Sequence, residues 1–308
     1  MTIINEHNHK HNHEHEHKHD IKDKNIFITI MLNLIITIAE FVGGFLSNSL
    51  ALISDAFHNL SDVTAIILTY FALKISKKSK TSTKTFGYKR IEVISAFINS
   101  IALVVISLFL FKEAIERFIH YEKINSMVMF TVAIIGFFAN LISVFLLKSH
   151  THGNLNIKSA YLHLLGDTLS SVGVIIGGIL IYFFEIYWID PVVTILIGLF
   201  ILKEAVKIVK ESYGILMNFA PKNIKIEEIK EDIEKFEEVK NVHHIHLWLL
   251  NDEDIYFECH IELKHDLKLS ETNEIKEKIH ELLEHEFKIN HITLQMGYNC
   301  CSEMNLLC

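Results

Sequence analysis

Only two prolines occur in 308 residues, which excludes a collagen-like or proline-rich disordered chain. Cysteine is almost as scarce. Cys259, Cys300, Cys301 and Cys308 all fall late, two of them adjacent, so they do not form the spaced framework of a secreted domain. Reduced thiols facing a cytosol fit better. Positive charge is also short: the formal net charge is -8, which argues against a polyanionic partner such as nucleic acid. Charged residues make up only 21% of the chain and hydrophobic ones 50%, so a membrane protein is the leading class, with length for two domains.

Histidine, by contrast, is abundant. From His7 to His19 every second residue is histidine (His7, His9, His11, His13, His15, His17 and His19), interleaved with Asn, Lys and Glu. No apolar face exists to bury, so residues 1–24 are expected to form a disordered tail whose imidazoles collect metal loosely. Six apolar runs follow, near 26–45, 50–75, 93–111, 128–147, 159–184 and 188–209. Each is about long enough to cross a bilayer, which takes roughly 20 residues. The expectation is a six-helix transmembrane domain over 25–210. The first run follows the histidine tail and lacks a small-residue cleavage site, so it reads as a span and not a signal peptide. Between spans two and three lie Lys74, Lys77, Lys78, Lys80, Lys84, Lys89 and Arg90, whereas the connection between spans five and six has no Lys or Arg. That bias places the basic loop and both termini in the cytoplasm of a multi-pass protein, with the plasma or inner membrane as the expected location.

Composition shifts to that of a soluble domain over 211–298. Ile226, Ile229, Ile233 and Phe236 recur at helical spacing, predicting an amphipathic helix. Period-two alternation predicts strands over 242–250 and 255–263, separated by a polar turn. A second helix over 271–287 and a strand over 291–297 complete an αββαβ order, an α+β domain with a small open sheet and helices on one face. A cysteine-containing tail, 299–308, ends the chain.

The most informative residues lie inside spans two and five. SDAFHNLSD supplies Asp55, His58 and Asp62, and HLLGD supplies His163 and Asp167. A carboxylate at mid-bilayer costs roughly 2.5 to 3.5 kcal/mol on the insertion scale, so these groups need partners. His58 and Asp62 are four apart, as are His163 and Asp167, so each pair shares one face of its helix and two facing helices can converge four ligands. Two carboxylates neutralise a divalent cation, and the mixed imidazole and carboxylate set suits zinc better than magnesium or calcium. Cadmium, cobalt, nickel, iron and manganese remain admissible. Asp55 shares the face of His58 and is a candidate relay. Asn59 and Asn140 are candidate supporting groups, or plain interhelical hydrogen-bond formers.

These motifs, with FGYKRIEVISAFIN over 86–99, the Asp190-Pro191 pair, VHHIHLW, CHIEL and HITLQM, resemble the cation diffusion facilitators, in particular their zinc-exporting bacterial branch. The resemblance spans nearly everything after the histidine tail. It implies a homodimer pairing through its cytoplasmic domains, and export of Zn(2+) driven by inward proton flow. It also implies that His58, Asp62, His163 and Asp167 are the transport ligands, with no catalytic cofactor and no enzymatic reaction. In the soluble domain His243 and His260 match metal-binding positions of relatives, with His291 or a tail cysteine as the candidate to complete that site. Some relatives carry an extra metal site between spans two and three, where 75–88 here has no His, Asp or Cys, and others a long histidine-rich loop between spans four and five, where this chain has only His150 and His152. A membrane-anchored metal sensor or store without transport is the alternative reading.

Overall fold

The structure, a computed structural model, describes residues 16–76, 78–120, 122–148, 155–299 and 305–306. His7 to His15 of the tail, Cys300, Cys301 and Cys308 lie outside the described residues, as do the side chains of His17, His19 and His163. Six long helices come first: α1 (Glu16–Ser47), α2 (Leu50–Ser76), α3 (Ile91–Ile119), α4 (Ser126–Lys148), α5 (Leu155–Phe184) and α6 (Ile189–Leu216). Helix α1 starts at Glu16, so 16–24, assigned above to the tail, is helical. Its Glu and Lys residues are good helix formers that can prolong an apolar helix into water. Among the described residues, Ile91–Ile119, Ser126–Phe145 and Leu165–Phe184 are long and apolar enough to cross a membrane, and Met31–Ser47 is a shorter apolar stretch. Then follow α7 (Ile226–Glu234), β1 (Val239–Leu249), β2 (Ile255–Leu263), α8 (Leu269–Phe287) and β3 (His291–Gly297), the αββαβ order expected.

The chain divides into two compact units, one of Met1–Thr64 with Leu103–Lys203, the other of Ala65–Ala102 with Glu204–Cys308. In the first, polarity is arranged inside out. Phe45, Phe109, Leu169 and Phe183 are exposed, whereas Glu40, Asp55, His58, Asn59, Asn140, Asp167 and Asp190 are buried. Apolar side chains outward and polar ones inward is the pattern a bundle adopts when its solvent is lipid. Small residues let the helices approach. A Cβ at Gly43 of α1 would lie 2.6 Å from Val132 of α4, and one at Gly198 of α6 would lie 2.5 Å from the Phe111 ring of α3.

The α1–α2 turn is held by groups from distant helices. Asn48 takes the left-handed conformation at φ 57°, which asparagine tolerates. Its carbonyl accepts a hydrogen bond from Arg117 Nη1 (2.7 Å), and its amide donates to Glu122 Oε2 (2.7 Å). Asp190, in the first turn of α6, then caps α2. Its carboxylate accepts from Ser49 Oγ (2.5 Å) and from the backbone N–H of Leu50 (2.8 Å) and Ala51 (3.3 Å), donors that have no partner within their own helix. Pro191 suits the same first turn of α6 because it needs no donor there.

In the second unit β2 is central, antiparallel to β1 and parallel to β3. The parallel pairing requires the crossover that α8 supplies. Ile229 and Ile233 of α7 and Ile275, Ile279 and Leu283 of α8 pack with Val242, Ile245, Phe257, Cys259 and Ile261 of the sheet. Cys259 is buried there, and burial alone pushes its thiol up to about 12, so it acts as a packing residue and not a nucleophile. The β1–β2 turn closes when Asn251 Oδ1 accepts the N–H groups of Glu253 (3.1 Å) and Asp254 (2.6 Å), a side-chain mimic of a backbone turn.

Replacing Asp190 with Ala leaves three buried donors at the start of α2 unpaired. Stability of the purified protein should fall by about 3 kcal/mol, given the usual cost of lost charge-assisted hydrogen bonds. A melting temperature equal to the parent's would refute the capping role.

Candidate metal centres

Helical periodicity puts His58 and Asp62 one turn apart on α2, and the bundle brings α5 against them. His58 Nε2 lies 3.3 Å from Asp167 Oδ1 and 3.8 Å from Asp62 Oδ2. One donor atom from each of the three residues lies within 4.8 Å of the others. In a tetrahedral shell with bonds of 2.0–2.1 Å, donor atoms stand about 3.3 Å apart; the His58–Asp167 spacing matches this and the His58–Asp62 spacing is longer. His163 stands four positions before Asp167 on α5, and its side chain is outside the described residues. Phe200 of α6 meets the His58 ring edge-on at 6.4 Å.

Beside His58 and Asp167 is a cavity of about 360 Å³, lined also by Ser170 of α5 and by Val193, Leu196 and Phe200 of α6. At roughly 30 Å³ per molecule it has room for several waters, so a partly hydrated ion could reach the cluster. Asp55, one turn before His58, accepts a hydrogen bond from Ser170 Oγ (2.7 Å) and does not join the three clustered ligands. Asn59 donates to Glu40 Oε2 of α1 (2.7 Å). Asn140 on α4 is buried with neither amide atom hydrogen-bonded among the described residues.

Glu40 is a buried carboxylate that motif and spacing did not single out. It is 2% exposed in the middle of α1, and a Cβ at Gly136 would lie 2.8 Å from its Oε1, so Gly136 opens the space it fills. A signal was available: a carboxylate inside the run ITIAEFVGG carries the same insertion cost that drew attention to Asp55 and Asp62.

The soluble domain carries a second cluster, and it differs from the one expected. His243, His244 and His260 each offer a nitrogen within 4.8 Å of the others, with ring centroids 5.0 to 5.6 Å apart. Adjacent strand residues normally face opposite sides. Here the β1–β2 register shifts between His243 and His246, and His244 adopts φ 49°, so a β-bulge turns both neighbours toward His260. His291 does not join them. It pairs with Tyr256 in the β2–β3 register, four positions from His260, and its ring packs on that of Tyr256 at 4.5 Å. Register, which period-two alternation cannot fix between strands, decides this. Nε2 of His243 and Nδ1 of His260 are buried without hydrogen-bond partners among the described residues, while His243 Nδ1 lies 3.1 Å from Asn241 Oδ1. Burial, then the neighbouring His244 and His260, hold His243 below its ordinary value of 6.5. Its neutral form, the one that binds metal, is therefore favoured at neutral pH.

Residues 26–217 match the family model described as the cation efflux transmembrane domain, and 221–297 match that of the cation efflux protein, cytoplasmic domain. The chain is 41% identical to the cadmium, cobalt and zinc/H(+)-K(+) antiporter of Bacillus subtilis, over 84% of each chain. It is 37% identical to zinc transporter ZitB of Escherichia coli, over 86% of this chain and 84% of that one. With the metal cation efflux system protein CzcD of Cupriavidus metallidurans it shares 35% identity, over 86% and 84%.

The depressed His243 has a measurable consequence. As pH falls below 6.5 the unfolded chain takes up this proton before the folded one, so stability is present in full above that value. It is lost as pH drops toward the lower folded value. Thermal melts of metal-free protein should show this acid-side loss, and His243→Gln should flatten it. An unaltered pH slope in the variant would show that His243 titrates normally.

Proposed function

The chain belongs to the cation efflux family, and on that premise we propose that it exports Zn(2+) from the cytoplasm in exchange for protons. Cadmium, cobalt, nickel and iron are chemically admissible alternatives. The observation that carries this reading is the His58, Asp62 and Asp167 triad, whose donor atoms gather within 4.8 Å of one another inside a bundle whose outer face is apolar. His163 would provide the fourth ligand from the same face of α5. Two carboxylates cancel the charge of a divalent ion in this low-dielectric interior, and two neutral imidazoles add affinity without adding charge.

In this reading all six helices α1–α6 span the bilayer, with both termini in the cytoplasm. The connection between α2 and α3 is cytoplasmic, in keeping with its Lys and Arg content and with the ion pair between Lys89 and Asp254 of the matched cytoplasmic domain, 2.6 Å long. Two chains pair through those domains, and the histidine tail gathers metal near the entrance. The location is the plasma or inner membrane.

Coupling follows from the ligands. Metal binds from the cytoplasm to neutral imidazoles and ionised carboxylates, and the bundle rocks to open outward. Protons arriving at His58 or His163 then convert donors into cations that release the ion. Glu40, bonded to Asn59 beside His58, is the nearest further carboxylate on α1 and supports the α2 ligands from behind. In the cytoplasmic domain the three-histidine cluster is a regulatory zinc site. Its support is the pair of buried, unbonded nitrogens on His243 and His260.

Zinc uptake into inverted vesicles under an imposed pH gradient tests the scheme. Asp167→Ala should insert normally yet lose at least tenfold of the flux, since one carboxylate is too little charge for a dehydrated divalent ion. Parent-like flux would remove Asp167 from the site, and zinc binding by the parent without flux would favour a sensor or store. His163→Asp exchanges an imidazole nitrogen for a carboxylate oxygen, a group of lower intrinsic pKa, so its flux profile should move to the acid side. An unmoved profile in a variant that still transports would exclude His163 from proton coupling.

A further inference from the structure

One cavity lies away from both candidate metal centres. It measures about 450 Å³ and falls wholly within the second unit, where the 86–90 loop and the first turn of α3 meet β1. Its walls include Phe86, Ile91, Ile94, Trp248 and Leu250, so most of the lining is apolar, and none of the lining residues is acidic. The walls are fixed by aromatic packing: Phe86 meets the Tyr256 ring edge-on at 5.5 Å, and Trp248, the cross-strand partner of Tyr256, stacks on it at 5.6 Å.

Two cations stand at this apolar cleft. Lys89 is already paired with Asp254. Arg90 is different. It donates through Nη2 to Asn218 Oδ1, but it has no carboxylate partner among the described residues, and its Nε–H is buried with no acceptor. A guanidinium offers five donors in a planar fork matched to phosphate oxygens, and a buried unpaired donor beside an apolar space calls for an acceptor. The position narrows the choice of ligand. Ile91 and Ile94 begin α3, a helix long and apolar enough to cross a membrane. Farther along α3, Ile98 and Val105 are each 60% exposed. If α3 spans the bilayer, as in the export reading above, the cleft opens near the level where headgroups meet acyl chains, where Trp and Tyr side chains such as Trp248 and Tyr88 are enriched.

We propose that this cleft binds an anionic glycerophospholipid, its phosphodiester held by Arg90 Nε–H and its upper acyl chain lying against Ile91, Ile94 and Trp248. The bound lipid joins the start of α3 to the β1 strand of the soluble domain within one unit. This makes the contact sensitive to the anionic lipid content of the cytoplasmic leaflet. A zwitterionic lipid presents a similar shape but sets its own cation against Arg90, so it binds less well.

The test uses the full chain. Only Trp188 and Trp248 occur in the sequence, so a Trp188→Phe background reports on Trp248 alone. In nanodiscs, phosphatidylglycerol labelled with a nitroxide near the glycerol should quench Trp248 saturably, and labelled phosphatidylcholine should need about fivefold more lipid, the preference expected of one basic side chain at a membrane surface. Arg90→Gln should remove that preference while leaving weak quenching by both lipids. Equal quenching by the two lipids in the Trp188→Phe protein overturns the proposal without recourse to any Arg90 variant. An Arg90→Gln protein that keeps the preference overturns the assignment to Arg90. Relief of phosphatidylglycerol quenching by millimolar inorganic phosphate overturns the lipid source in favour of a free anion. None of these readouts requires zinc transport, so failure here is distinct from failure of the export reading.

Discussion

A carboxylate removed from water in a helical bundle must be neutralised or hydrogen-bonded, and much of this structure follows from that constraint. Asp190 is met by one hydroxyl and two helix N–H groups, and so fixes where α2 begins. Glu40 is met by Asn59, in a space that Gly136 leaves open. Asp55 is met by Ser170. Asp167 and Asp62 instead converge on His58, a grouping in which a doubly charged ion is a natural complement. Structural carboxylates are thus surrounded by fixed donors, and candidate transport carboxylates by a titratable ring beside a cavity.

The two candidate metal centres gather their donors by different backbone devices. In the bundle a regular helix suffices, because a spacing of four residues stacks His58 over Asp62. In the sheet regular geometry would separate His243 from His244, and only the bulge brings them to one side. A helix-borne site moves when its helix moves, which suits an ion that must be released. A bulge is instead held by the pairing of its two strands, which suits the regulatory role proposed for that cluster.

The connection between α2 and α3 links chemistry to architecture. Lys89 bonds to Asp254, Arg90 to Asn218, and Phe86 packs on Tyr256, so a short basic loop engages the soluble domain through one ion pair, one hydrogen bond and one ring contact. Its Lys and Arg residues read in the sequence as a marker of sidedness. In the structure two of them also act as specific contacts.

Much was legible beforehand because it depends on local periodicity. The apolar runs, the αββαβ order and the facing of His58 with Asp62 all follow from repeats of 3.6 or 2 residues. The cost of a charge in lipid singled out spans two and five without any coordinates. What the sequence could not determine depends on how elements lie against one another. That Asp167 reaches His58, that Asp190 caps a helix some 140 positions earlier, and that Glu40 faces Asn59 are consequences of helix packing. His291 and His244 make the point most directly. Sequence motifs offered the first and gave no reason to single out the second; strand register sent His291 to Tyr256 while a single bulge delivered His244 to His243 and His260, because register and bulges are set by the pairing of two strands and not by either strand alone.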